Sequence, residues 1–343
     1  MKTAFASILA LLATAPAFAQ EAGYSRPHTS WGAPDLQGFW SNTSLTNLER
    51  PEGARLVVTP EEASTLARRN VLTRALLGDN EASSVDAETT KRILADKNTS
   101  RAYNQFWTDP GNSLGQVKGE YRTSWIVDPA DGRIPYTQAG RDALSRNITY
   151  DGPEARPPSE QCLMSFTGGA GPVMTNGLYN NTYQIVQTPT SVMIMTEMIH
   201  EARIIPINDK AGGVHGPRAI PKWAGDSIGW YEGDTLVVET VNPHPRQRSY
   251  ITATGKVTER FTRWSDGQIL YQFTVEDPAL YTAPWSGEMA LNVSKQPPFE
   301  YACHEGNYSL PSILKGARQL ERDHRPQQAI KQPYPGIDVT EGQ

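Results

Sequence analysis

The chain has 343 residues, with 32 Lys and Arg against 37 Asp and Glu and a formal net charge of −5. That length allows one or two domains with a sizeable core, while the scattered basic residues argue against nucleic acid, which needs a concentrated basic face. Twenty-six prolines and 28 glycines announce many turns and long surface connections.

Residues 1–19 read as a secretory signal. Lys2 precedes an apolar run from Ala4 to Ala13, and Ala17-Phe18-Ala19 stands before Gln20, the small-residue pattern of a cleavage site. Cleavage near Ala19 predicts a periplasmic or secreted product. No Cys follows that site to carry a lipid anchor, and no later stretch approaches the ~20 apolar residues of a membrane span.

Residues 20–158 are expected to form an irregular, partly helical wrapper. Thr59-Pro60-Glu61-Glu62 has a cap, a proline at the first helical position and a glutamate three after the cap, predicting a helix to about Leu77. A weaker helix is expected over Asp86 to Asp96, a strand over Tyr121 to Val127 and a short helix over Gln138 to Ser145. The segment from Tyr150 to Ser159, rich in proline and acid, is the expected boundary.

Residues 159–308 change character. Strands are expected at Thr182–Gln187, Ser191–Ile199, Ala202–Ile207, Asp226–Tyr231, Thr235–Asn242, Val257–Trp264, Gln268–Glu276, Trp285–Val293 and Phe299–His304. Glu232-Gly233-Asp234 and Ser265-Asp266-Gly267 are hairpin signals. Consecutive antiparallel strands joined by short turns are satisfied by a sheet that closes, because closure removes both exposed edges. The expected fold is therefore mainly β: an antiparallel up-and-down barrel of calycin or lipocalin type, with a C-terminal helix capped by Ser309 and a tail in residues 309–343. Cys162 and Cys303 are the two cysteines, and in an oxidising compartment they are expected to form one disulfide.

Two resemblances accompany this reading. Gly38-Phe39-Trp40 resembles the Gly-x-Trp opening of a lipocalin barrel, although it lies far upstream of the other strands. More extensively, Arg122 to Pro129, Tyr179 to Gln187, Gly225-Asp226-Ser227, Trp230 to Thr240 and Tyr301 to Tyr308 resemble the signature blocks of a large family of exported bacterial proteins of uncharacterised function. That resemblance implies export and a shared fold, and it carries no catalytic residues with it.

Familiar motifs fail one by one. His200-Glu201 and His304-Glu305 begin like a zinc-protease helix, but the fifth position is Ile204 or Tyr308 where a second histidine is required, so no metal is expected. Gly225-Asp226-Ser227-Ile228-Gly229 fits a hydrolase elbow, yet Ser227 leads into hairpin sequence and not a helix. Ser165 to Gly171 lacks the dinucleotide glycine pattern and any surrounding βαβ unit, so no redox cofactor is expected.

What remains is a set of ionisable groups on strands. Period-2 alternation puts Glu197, Glu201 and Arg203 on one face and His200 on the other, unless a turn near Ile199 changes the parity. Glu239 and Glu259 share faces with valines and a phenylalanine, and carboxylates there must be paired, hydrogen-bonded or functional. The expected function is an acid/base enzyme (lyase, isomerase or hydrolase) acting on a small organic molecule in the barrel. His200 and His304 would exchange protons, Glu197 or Glu239 would orient the imidazole, and Arg203 would hold an oxyanion. Trp223, Trp230, Tyr271, Trp285, Tyr301 and His215 are the candidate pocket residues. The alternatives are a non-catalytic lipocalin-like ligand carrier and a structural salt-bridge network.

Overall fold

A computed structural model describes residues 24–70, 110–144, 148–149, 152–165, 171–177, 180–208, 213–247, 249–325 and 331–332. The expected signal segment and the expected helix over Asp86 to Asp96 lie outside these residues. In chain order the elements are β1 (Gly38–Ser41), β2 (Val57–Val58), α1 (Pro60–Arg69), β3 (Gln116–Val117), β4 (Glu120–Arg122), β5 (Ile126–Asp128), α2 (Gln138–Leu144) and β6 (Ile148–Thr149). They continue with β7 (Thr182–Gln187), β8 (Ser191–Thr196), β9 (Ala202–Pro206), β10 (Asp226–Glu232), β11 (Thr235–Val241), β12 (Lys256–Ser265), β13 (Gln268–Glu276) and β14 (Trp285–Val293). The described chain closes with α3 (Cys303–Gly306), α4 (Ser309–Arg322) and β15 (Lys331–Gln332). Among these residues no helix is long and apolar enough to cross a membrane.

The fold is mainly β and its centre is a nearly closed antiparallel barrel. The strands run in the order β10-β11-β12-β13-β14-β1-β7-β8-β9. Nine antiparallel strands cannot close antiparallel, because with an odd count the first and last point the same way. The seam is accordingly parallel: Ile207 bridges Gly229, and the Asn208 amide donates to the Gly229 carbonyl at 2.7 Å. Ile205 and Ile207 pack over Gly229 so closely that an added Cβ would sit 3.0 and 3.1 Å from them.

The predicted hairpins fall where their turn residues stand, but three segments differ. The lipocalin-like Gly38-Phe39-Trp40 forms β1, wedged between β14 and β7, with Trp40 opposite Val293 on one side and Tyr183 on the other. The expected strand over Tyr121 to Val127 is broken, because the Thr123 and Trp125 amides turn to the carbonyls of Leu56, Asn47 and Leu48. The expected strand over Phe299 to His304 is absent: Pro297 and Pro298 precede it, and Cys303 starts the short α3. Helix α1 has its full capping box between Thr59 and Glu62 but ends at Arg69. At α4 Ser309 is already helical and the cap position is Tyr308, without a side-chain capping bond; Asn307 Oδ1, one residue earlier, accepts from the Leu310 amide at 3.1 Å.

Alternating inward positions fill the barrel. Tyr183, Ile185, Val192, Ile194, Ile205, Leu236, Val238, Val257, Phe261, Tyr271, Phe273, Trp285 and Met289 form one continuous buried cluster. Fully burying each large side chain of this kind contributes about 1.5–3 kcal/mol. One end is plugged by the segment entering β1. There the Leu36 amide donates to Gln187 Oε1 at 2.7 Å, the Trp40 indole donates to the Leu36 carbonyl at 2.9 Å, and the Arg263 guanidinium lies 4.9 Å from the Trp40 ring centre.

The opposite end, where β8 and β11 finish and β7, β9 and β10 begin, is crossed by residues 162–165 and 171–177. The disulfide between Cys162 and Cys303, with Cα atoms 5.8 Å apart, ties that crossing segment to the C-terminal helices. Beside it β5 fills the part of the β14 edge that β1 does not reach, pairing at Ser286 and Gly287. A Cβ on Gly287 would lie 2.4 Å from Phe273 Cζ and 2.7 Å from the Trp125 carbonyl oxygen. Gly287→Ala is therefore expected to lower stability by about 1–3 kcal/mol in urea unfolding. Gly306→Ala, at an open position, is expected to change it little.

Candidate functional site

Among the described residues, the crossed end of the barrel gathers most of the non-glycine backbone in the left-handed region and a carboxyl group whose pKa is strongly raised. β8 stops at Thr196, a 3₁₀ turn covers Met198–His200, and β9 resumes at Ala202. Inside that turn Ile199 has φ +63° and His200 φ +48°. A β-branched residue in this left-handed region costs of order 1–3 kcal/mol and persists only where surroundings impose it. Three more non-glycine residues at the same end share it, Asn180 at φ +67°, Cys162 at φ +54° and Asn242 at φ +52°.

The surroundings that impose it are polar and buried. Asn180 Oδ1 accepts from the Met198 amide at 2.6 Å, Asn180 Nδ2 donates to Ser165 Oγ at 3.2 Å, and Ser165 Oγ donates to Met198 Sδ at 3.1 Å. Glu201 follows the turn and shares the inward parity of Arg203 and Ile205. Among the described residues neither of its carboxylate oxygens finds a partner in full hydrogen-bonding geometry, the Ser165 amide standing near it. Burial dominates over the nearby Ser165 amide and the Arg203 charge, and it pushes the Glu201 carboxyl up to about 7. Such a carboxyl can both hold and release a proton near neutrality.

One layer deeper the opposite solution is found. Arg203 Nη1 lies 2.5 Å from Glu259 Oε2 and Nη2 lies 3.1 Å from Oε1, a bidentate pair that is 3% and 0% exposed. The Tyr271 hydroxyl donates to Glu259 at 2.8 Å and accepts from the Met174 amide at 3.1 Å. Asn42 joins Tyr183 to the Met174 carbonyl at 3.2 and 2.9 Å. Burial raises the pKa of both tyrosines.

On another flank of the same end a small cleft opens between Met164, Val173, Trp223, Thr240, Tyr250 and Ile251. It offers about 30 Å³, room for one or two waters. A β-barrel of this kind is consistent with a ligand-binding pocket, and this end is where the described residues leave space.

The residues singled out from the sequence are distributed over several places. Arg203 belongs to the lumen pair, and Tyr271 and Trp285 are packed in the core. Trp223 lines the cleft. His200 and His304 are both exposed; His200 Nε2 accepts from the Tyr301 amide at 3.4 Å, and Tyr301 itself is 37% exposed. The expected partnership of His200 with Glu239 is not formed, since Glu239 faces outward and contacts His215 at 3.2 Å. Glu197 stands half-buried before the strained turn. Trp230 also faces outward, packed with Ile228 and Val237. Ser227 is buried inside β10 with its hydroxyl 2.7 Å from that of Thr240, remote from any strand-to-helix elbow.

Glu201 was legible as an inward carboxylate two positions before Arg203, but its burial beside the Ser165 amide is placed by no spacing rule. No protein-family model matches the chain, and no curated protein matches it significantly.

Two expectations follow for stability. The folded-state pKa of Glu201 is raised above 4.5 to about 7, so between these values the folded state holds a proton that the unfolded state has lost. Stability should fall across that window as pH rises, by about 3 kcal/mol in the limit, and Glu201→Gln should abolish the slope in urea titrations at several pH values. Arg203→Met, which strands a buried charge on Glu259, should cost about 3–5 kcal/mol, and the Arg203→Met/Glu259→Leu pair should restore most of it.

Proposed function

We propose that the protein is an exported small-molecule enzyme that uses acid/base chemistry without a redox cofactor, of the lyase, isomerase or hydrolase class, and that Glu201 exchanges the proton. The observation that carries this reading is a buried carboxyl that burial pushes up to about 7 against the nearby Ser165 amide and Arg203, held between strained backbone segments. General acid/base groups work best with a pKa near the operating pH, and strained backbone is retained where surrounding structure holds a site in place. Neutral Glu201 would donate a proton to a leaving or carbonyl oxygen; its ionised form would take one from carbon or water.

His200 immediately precedes Glu201 and faces solvent, and we assign it the return of the proton to bulk water. Arg203 is committed to Glu259, so in this reading it holds the floor of the site instead of binding an oxyanion. His304, on the exposed α3, takes no part. A substrate reaches Glu201 when residues 162–165 or the strained turn give way.

The test incubates wild type and Glu201→Gln with a panel of small esters, lactones, hydroxy acids and ketones in deuterated water, followed by mass spectrometry. Conversion or deuterium incorporation by the wild type, reduced about a hundredfold or more in the variant, is the expected result. Compounds bound stoichiometrically and recovered unchanged would make the protein a carrier. Full turnover by Glu201→Gln would remove Glu201 from the chemistry.

A further inference from the structure

Residues 213–223 lie against the outer face of β10 and β11 and bury little apolar surface of their own: Val214 is 94% exposed and Ile220 66%. Polar contacts hold the segment, and a histidine is at their centre. His215 Nδ1 lies 2.9 Å from Asp226 Oδ2 on β10, and Nε2 lies 3.2 Å from Glu239 Oε1 on β11. An ionised carboxylate only accepts hydrogen bonds, so both ring nitrogens must donate, and only the imidazolium has two N–H groups.

The two carboxylates that His215 meets are themselves tied to other groups. Burial pushes Asp226 up, but hydrogen bonds from Lys222, the Gly216 amide and His215 outweigh it and hold the carboxyl below the usual range. Glu239 is also 3.5 Å from Lys256 on β12, which is shared with Glu276 on β13 at 3.2 Å. Arg218, on the segment itself, is tied to the Ala253 carbonyl at 3.2 Å. The segment ends at Trp223, which stacks on His244 with ring centres 4.0 Å apart and forms one wall of the cleft.

We propose that His215 is a proton-operated latch: as the imidazolium it pins residues 213–217 to both Asp226 and Glu239, and on losing its proton it gives up one of the two and loosens them, while the backbone bridge between Lys222 and Pro243 keeps Trp223 in place. A neutral imidazole turns one lone pair toward a carboxylate, so the contact with Asp226 or with Glu239 is lost. Residues 213–217 are therefore held in mild acid and loosened toward alkaline pH. This holds whether or not Glu201 exchanges protons with a substrate.

Amide exchange of the full chain tests it, at pD values of about 5.5 and 8.5 that bracket histidine titration, with each rate normalised to the intrinsic rate at that pD. Protection of the Gly216 amide, which donates to Asp226 at 2.8 Å, should fall roughly tenfold or more at the higher pD while β12 and β13 amides keep theirs. His215→Gln should show low protection at both. Equal wild-type protection at the two values overturns the proposal, as does a fall matched by β12 and β13 or a pD dependence that survives in His215→Gln. Should the variant fail to fold, the wild-type comparison decides alone.

Discussion

The bidentate pair between Arg203 and Glu259 is the constraint on which the barrel depends. β9 and β10 are joined by one parallel bridge, so a ladder of backbone hydrogen bonds does not hold the last wall to the first. Arg203 reaches from β9 across the lumen to β12, and Tyr271 on β13 and Met174 in the crossing segment complete the network. Two charges so deeply buried cost several kcal/mol each unless geometry and extra hydrogen bonds offset the loss of water. The fork-to-fork arrangement supplies that, and it requires a dry, filled interior. The space that the described residues leave lies at the end of the barrel.

Two carboxyl environments at that end illustrate how neighbours decide chemistry. Asp226 is surrounded by Lys222, His215 and a backbone amide, and its charge is stabilised despite burial. Glu201, where burial outweighs the nearby Ser165 amide and Arg203, moves the other way. Both lie where strands begin, Glu201 just before β9 and Asp226 opening β10, so one end of the barrel carries a carboxyl held in its ionised form and another that burial turns toward its protonated form.

Much of the architecture was readable from the chain because local signals and global pairing agree. Alternating apolar residues in β7 to β14 and the two glycine-centred turns specify strands and their partners without distant information. The cysteine pair followed from even count and compartment. β1 was not readable as a barrel strand, since four residues carry little periodicity and its partners lie far along the chain. Ile199 and His200 defeated the reading of β8 because a β-branched residue in a left-handed turn contradicts propensity; Asn180 and Ser165, distant in sequence, hold it there. The site was hardest for the same reason: Glu201 is buried beside the Ser165 amide, which is distant in sequence.

The position of β1 has a kinetic consequence. Its four residues pair with Thr182–Ile185 and with Asn292 and Val293, so the wall they complete joins the two most separated parts of the described barrel. Loop closure on that scale is slow, and hairpins β10–β11 and β12–β13 can zip long before it. The chain's early residues thus act as a keystone, set last though synthesised first, and until they arrive the nascent sheet presents two raw edges to its neighbours.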